Sequence, residues 1–460
     1  MRGSLAPGYD KTSTTDLDSL DLSANRVLWD MPGGSAGLAV GAQLRHEAQN
    51  DPTLNPNFAF QGLDNAQTKG SRDVSGAFGE LDLPILQSLE VDASGRFDHY
   101  TDAGNNFSPK IGIKFKPTDW IALRGTWSKG FRAPAFAENG SSSTQGFITY
   151  TPPPAFQALH GGSPYATIPY GLSEYTLANK GIKPEKSKSF TFGVVLQPTS
   201  WLNASVDYYH ITKSNLIVQA DTSAALANYY AGTAQQPGVT VIPDLPDPAN
   251  PTAQPRPSEI IGSYLNAQSL KTTGVDVDLR ANFDFGGDWH YISELTGTQI
   301  FQWKLKQPDG SEQSYVGTQG PYNLSSGAGT PRSRASLANT MMYGPLTLTG
   351  TLYYTSGYRD IAADVGVFGL IDGDCLSTRP DNGLNFPASC HVGAFYDFDL
   401  TGSYALNDHV SITASVMDLF DRNPPFDPSN YAGAGANYNP TWSQAGVVGR
   451  FYNLGVKVKM

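Results

Sequence analysis

Cys375 and Cys390 stand fifteen positions apart in a segment rich in Gly, Asp and Pro. Two cysteines so placed suit a disulfide closing a surface loop in an oxidising compartment. Zinc fits poorly, because a structural site takes four ligands and only His391 is near. Asp364, Asp372, Asp374 and Asp381 surround the cysteines, but the spacing of a calcium hand is absent, and solvated loop acids describe them better. No metal site is expected. Tyr150, Tyr165, Tyr170, Tyr175 and His160 share another long loop. Rigid aromatic rings grip sugars and aryl chelates with little entropic loss. That loop is therefore a candidate ligand surface, although tyrosines are also ordinary in flexible loops. His46, His99, His160, His210, His290, His391 and His409 are scattered and join no Ser/His/Asp motif, metal-spaced His pair or phosphate-cradling Gly loop. Catalysis is not indicated.

The formal net charge is -11, with no basic run, which argues against a nucleic-acid partner. Mean hydropathy is -0.31, and no stretch approaches the roughly 20 consecutive apolar residues of a spanning helix. Barrel strands remain possible, since only alternate residues face lipid and their hydropathy averages out. The 48 Gly, 23 Tyr, 22 Phe and 7 Trp favour strands, turns and aromatic packing. Residues 1 to 15 are without the apolar core of a signal peptide and are expected to be loop or disordered.

The elements that must position these side chains show in period-two alternation, in segments of about ten residues bounded by turns. From Val275 to Phe285, Val275, Val277, Leu279, Ala281, Phe283 and Phe285 share one face. Asp276, Asp278, Arg280, Asn282 and Asp284 share the other. The pattern recurs around Phe190 to Gln197, Leu202 to Tyr208, Val410 to Val416 and Tyr452 to Lys459. Arg124, Asp207, Asp276, Asp278, Arg280 and Glu294 all fall on the polar face, which in a barrel is the lumen. A merely wet wall is preferred there to individual ligand contacts. One such charge facing lipid would cost about 2 to 4 kcal/mol near the midplane.

Connections alternate in length. Tight turns at 117–119, 198–200, 286–288, 344–345 and 407–408 alternate with long segments at roughly 132–186, 215–262, 304–330, 357–392 and 421–445. Short turns on one rim and long loops on the other mark outer-membrane barrels. Trp120, Trp201 and Trp289 follow tight turns and are expected to ring one interface. Counting hairpins gives about seven plus a final strand, hence roughly fifteen antiparallel strands. An odd count makes Ser19–Asp30 and Val447–Met460 parallel, with Met460 on the lipid face.

Several segments resemble the C-terminal barrel of TonB-dependent receptors. FSPKIGIKFKPTDWIALRGTWSKGFRAPAFAE (Phe107 to Glu138) is similar to that family's paired strands ending in a Phe-Arg-Ala-Pro rim motif. GIKPEKSKSFTFG (Gly181 to Gly193) resembles the next strand opening, GLAVGAQLRHE (Gly37 to Glu47) a hairpin arm, and MDLFDRNPP (Met417 to Pro425) the penultimate strand and its loop. The matches fall in the family order. The resemblance implies an all-β transmembrane barrel over residues 1 to 460, holding roughly 15 strands of an apparent 22. A leader, a TonB-contacting box, the plug and about seven strands are expected to be missing ahead of it. It implies outer-membrane lipid, the TonB-ExbB-ExbD system and a small extracellular nutrient as partners, and no cofactor. Arg132, on the inward side beside Phe131, resembles the rim Arg, for which a structural role is preferred to recognition. The function implied is uptake of a siderophore-iron complex at the outer membrane of a Gram-negative bacterium. Carbohydrate or cobalamin are further substrates to consider, and a passive porin or a surface adhesin are further classes.

Overall fold

Where apolar and polar residues alternate, the backbone is extended, because successive side chains on a strand point to opposite faces. The computed structural model describes residues 11–53, 55, 65–235, 237–306, 310–320, 329–359, 391–427, 438–439 and 441–459. Cys375, Cys390 and Met460, with their expected pairing and lipid contact, lie outside the described residues.

Six strands come first: β1 (Thr14–Met31), β2 (Gly34–Asp51), β3 (Asn65–Leu86), β4 (Leu89–Tyr100), β5 (Gly104–Thr118) and β6 (Ile121–Arg132). An excursion then holds α1 (Phe136–Asn139), β7 (Ser143–Tyr150), α2 (Pro154–Leu159), α3 (Pro164–Thr167) and β8 (Tyr170–Leu177). After β9 (Glu185–Thr199) and β10 (Leu202–Gln219), a second excursion holds α4 (Thr222–Ala231) and β11 (Val239–Pro243). There follow β12 (Pro257–Gly286), β13 (Trp289–Lys306), β14 (Glu312–Ser314), β15 (Ser333–Tyr343), β16 (Leu346–Thr355), β17 (Tyr358–Arg359) and β18 (His391–Val392). The chain closes with β19 (Phe395–Ala405), β20 (Val410–Met417), α5 (Gln444–Val448) and β21 (Phe451–Val458).

Setting aside β7, β8, β11, β14, β17 and β18, fifteen strands among the described residues form one wall, each antiparallel to the next. The expected strand count therefore holds. β1 and β21 run in the same direction, and among the described residues neither has a partner on its outer side.

Register sorts the wall into two faces. Leu123, Val194, Val206 and Val277 are direct cross-strand neighbours on one of them. Phe190, Phe192, Val206 and Leu454 are among the large apolar side chains exposed on it. Arg124, Gly193, Asp207, Asp276 and Thr298 make the corresponding row on the other. A continuous exposed apolar face of this size needs non-aqueous surroundings. No described helix is long and apolar enough to cross a membrane.

The rims also separate as expected. Trp120 and Trp201 occupy tight turns and Trp289 opens β13; all three are exposed, and strand register puts them on one rim. At the β12–β13 turn, Gly286 and Gly287 take φ +83° and +64°, which side chains bearing a Cβ resist. The excursions lie on the opposite rim, interrupted by one short turn between β4 and β5.

Several boundaries differ from expectation. β1 starts at Thr14, five residues ahead of Ser19, because its register with β2 continues to Asn50. Val447 belongs to helix α5 rather than to the last strand. A Cβ on Gly446 would lie 2.5 Å from the Arg422 carbonyl oxygen, so this segment packs closely against 422–424 before β21 begins. The long segments also contain structure of their own. The first carries the β7–β8 hairpin, and β12 runs for 30 residues because its upper part pairs with β8 and β11 above the wall.

Candidate functional site

Above the long-loop rim, the two excursions between β6 and β12 fold into one lobe. Leu172, Leu226 and Ile260 form its buried centre, packed against Tyr150, Tyr170, Tyr230 and Val239. Local signals fix α4: the Asp221 side chain accepts from Ala224 N at 2.8 Å, and Gly232 ends the helix in the left-handed region, which is common capping chemistry. β8 joins β12 in parallel, Tyr175 beside Ile261, while β7 and β11 extend the same small sheet.

The tyrosines split into two roles. Tyr150 stacks on Tyr230 with centroids 5.9 Å apart and meets the edge of Tyr170 at 6.3 Å. Burial pushes the Tyr150 and Tyr230 hydroxyls up, and that of Tyr170 up to about 12. They therefore stay phenols at neutral pH, packed within the lobe. Tyr165 donates its hydroxyl to the Leu245 carbonyl at 2.7 Å and accepts from Arg256 N at 3.0 Å. The Arg256 guanidinium lies between the Tyr165 and Tyr170 rings, 4.4 and 4.2 Å from their centroids, and donates to Asp244 at 2.9 Å. Tyr175 differs: with Gln145, Leu177, Glu259 and Ile261 it lines an open groove.

His160 is fully buried. Its Nδ1 faces Asp247 Oδ2 at 2.9 Å, and its Nε2 donates to the Gln254 carbonyl at 2.9 Å. The ring thus fastens one excursion to the other and presents neither nitrogen to the surface. Burial raises the Asp247 carboxyl, but hydrogen bonds from His160, Ser163, Ala249 N and Asn250 outweigh it and hold the group below the ordinary carboxylate range.

Arg132 works at the junction of wall and lobe. Its guanidinium makes two 2.9 Å bonds to Glu138 and one of 2.8 Å to Glu185. Glu138 also accepts from Ala135 N, and Glu185 from Ile217 N. One side chain thereby joins the end of β6, α1, the start of β9 and β10. Beneath it Arg72 donates to the Pro134 carbonyl at 2.7 Å and to Glu47 at 2.6 Å, between the Tyr100 and Phe136 rings.

On the polar face, Arg124 bonds Asp207 at 2.7 Å, Asp276 accepts from Thr298 at 2.7 Å, and Arg280 reaches Glu294 at 3.2 Å. Asp278 sits opposite Ser205 and Thr296. The polar-face residues thus form local pairs distributed along the wall, while the loop aromatics gather in the lobe. Sequence reading missed Arg72, Arg256, Asp247 and Tyr230. Arg72 meets Glu47 across 25 positions, Asp247 meets His160 across 87 and Arg256 meets Tyr165 across 91, and Tyr230 stacks on the distant Tyr150, contacts that no local spacing reveals.

Comparison with known proteins gives the lineage. The probable TonB-dependent siderophore receptor PirA of Acinetobacter baumannii is 26% identical over 212 residues, covering 43% of this chain and 26% of that protein. Transferrin-binding protein A of Neisseria meningitidis is 23% identical over 344 residues, covering 72% and 30%. Among solved structures, Acinetobacter baumannii PirA superposes with TM-score 0.62 at 18% identity over 97% of this chain and 55% of that one. A variant of the Pseudomonas aeruginosa ferric enterobactin receptor PfeA gives 0.63 at 15% over 97% and 54%. The chain thus spans little more than half the length of these solved relatives. The family model described as TonB dependent receptor-like, beta-barrel matches residues 2–419, and the chain belongs to that family of transport receptors.

Proposed function

We propose that residues 1 to 460 form one receptor-like barrel domain in the outer membrane of a Gram-negative bacterium. Its apolar face meets lipid, and its polar face, with Arg124, Asp207, Asp276, Asp278, Arg280 and Glu294, lines the interior. The long-loop rim faces outward and captures a small nutrient, foremost a siderophore-iron complex, whose passage the TonB-ExbB-ExbD system drives. The observation that carries this reading is the position of the lobe: a rigid aromatic platform stands over a wall whose interior face is polar. Tyr175 and its groove are the proposed ligand contact. Tyr150, Tyr165, Tyr170, His160 and Arg132 frame it. Siderophore relatives support the substrate class, because aromatic surfaces suit aryl chelates.

The test joins residues 1 to 460 behind the N-terminal portion of a full-length siderophore-receptor relative, produces this complete receptor in a strain lacking its own receptors, and measures accumulation of labelled ferric siderophores with and without TonB. TonB-dependent accumulation, reduced by Tyr175→Ala at unchanged protein level, is the expected result. Leakage independent of TonB and indifferent to Tyr175 would favour a passive channel.

A further inference from the structure

Six lysines collect on the apolar face just below the long-loop rim. Lys129 on β6 is directly opposite Lys188 on β9, Lys188 opposite Thr212 on β10, Thr212 opposite Lys271 on β12, and Lys271 opposite Lys304 on β13. Lys186 and Lys306 lie one step nearer the rim. Paired residues share a face. Trp127, Phe190 and Tyr208 occupy that face two to four residues below, all exposed, and the Lys129 ammonium lies 5.4 Å from the Trp127 ring centroid.

Like charges directly opposite each other on neighbouring strands repel and destabilise a sheet. Here two such pairs, Lys129/Lys188 and Lys271/Lys304, share one lateral row. The row crosses four strand intervals of about 4.8 Å, or roughly 19 Å in all. Among the described residues, Glu312 lies 3.8 Å from Lys304 and directly opposite Lys306 on β14, while Lys129, Lys186, Lys188 and Lys271 make no ion pair. On the apolar face of β1 to β3 the residues towards the same rim are instead Asp18, His46 and Asp73, in register with one another. The cations are therefore concentrated on one arc of the wall, at the level where the apolar surface gives way to loops.

We propose that this row binds phosphate groups of membrane lipids whose acyl chains pack on the apolar surface beneath. Each opposed lysine pair places two ammonium groups where one phosphate can lie between them, and the long lysine stems keep their charges at the interface while their methylenes lie on apolar surface. Lipid is favoured over a soluble anion because the row borders exposed Trp127, Phe190 and Tyr208 rather than a closed pocket. The site stands on the membrane-barrel reading but concerns neither the transported ligand nor the polar face.

The test uses protein extracted in mild detergent from the membranes of producing cells. It is titrated with a bis-phosphorylated disaccharide lipid, the same lipid without phosphates, and the acyl-free phosphorylated disaccharide. Binding of the first alone is expected. Joint replacement of Lys129, Lys188, Lys271 and Lys304 by Gln should weaken it at least about ten-fold, while replacement of all four by Arg should retain it. Equal binding of the dephosphorylated lipid, equal binding of the acyl-free sugar, or insensitivity to the Gln replacements would each overturn the site. A parallel flotation with neutral phosphatidylcholine vesicles separates the two ideas. Protein that inserts there yet shows no phosphate preference rejects the lysine row alone, and protein that inserts in no vesicle rejects the barrel reading and the row with it.

Discussion

Arg124 on β6 and Asp207 on β10 form an ion pair across β9, the strand that lies between them. Gly193 makes the approach possible: a Cβ there would lie 2.0 Å from Asp207 Oδ1 and 3.0 Å from Arg124 Nε. Gly193→Ala should displace the pair without unfolding the wall. Arg124 is 52% exposed, so the lost coupling is of the order of 1 kcal/mol or less. A double-mutant cycle with Arg124→Gln and Asp207→Asn, read by denaturant unfolding in detergent, checks this. A coupling of several kcal/mol would refute it.

The clasp between the excursions should depend on acid. The Asp247 carboxyl lies below its ordinary value when folded. Its contribution is thus complete above the ordinary range near about 4 and is lost as pH falls through the depressed value. Limited proteolysis should leave the lobe intact at neutral pH and cut it as pH drops below about 4. Asp247→Asn should be cut already at neutral pH. If that variant resists protease as wild type does, the clasp is unimportant.

Ligand binding should divide the tyrosines. Tyr175→Ala should weaken siderophore binding about ten-fold, corresponding to the loss of roughly 1.4 kcal/mol, with the lobe's protease resistance unchanged. Tyr165→Ala removes a stacking face from Arg256 and should increase protease cutting as well. Binding and protease assays on both variants distinguish groove from frame.

Oxidised protein should yield a peptide linking Cys375 to Cys390 in mass spectrometry without reductant. Two alkylated free thiols in exported protein would reject the disulfide drawn from their spacing.

Residues 1 to 460 expressed alone with an export signal should not give TonB-dependent accumulation. Among the described residues the 18-residue β1 and the 8-residue β21 each lack a partner on the outer side, and unpaired backbone groups in hydrocarbon each cost several kcal/mol. Aggregation or recruitment of another chain is the expected fate, visible by size-exclusion chromatography. A well-behaved monomer with TonB-dependent uptake would contradict it.

The wall was legible because its determinants are local. Val275 to Phe285 alternates strictly, and the short turns before Trp120, Trp201 and Trp289 are spelled out in Gly, Pro and Asp. Those signals fix strand number, face and rim. The lobe was only partly legible: its tyrosines stood out by composition, but Tyr175 could not be told from Tyr150, since what separates them is packing against Tyr230. His160 looked available until Asp247, 87 positions away, met it. The length of β12 was hidden for a similar reason, because its upper part is held by β8 and β11 rather than by alternation.

The shared direction of β1 and β21 imposes a rule of parity. Consecutive wall strands alternate in direction, so any segment that zips the two edges together with antiparallel pairs throughout must contribute an odd number of strands. A single strand meets this condition, and so do three. A hairpin does not, however good its sequence, because it leaves one seam parallel, with slanted and slightly weaker hydrogen bonds.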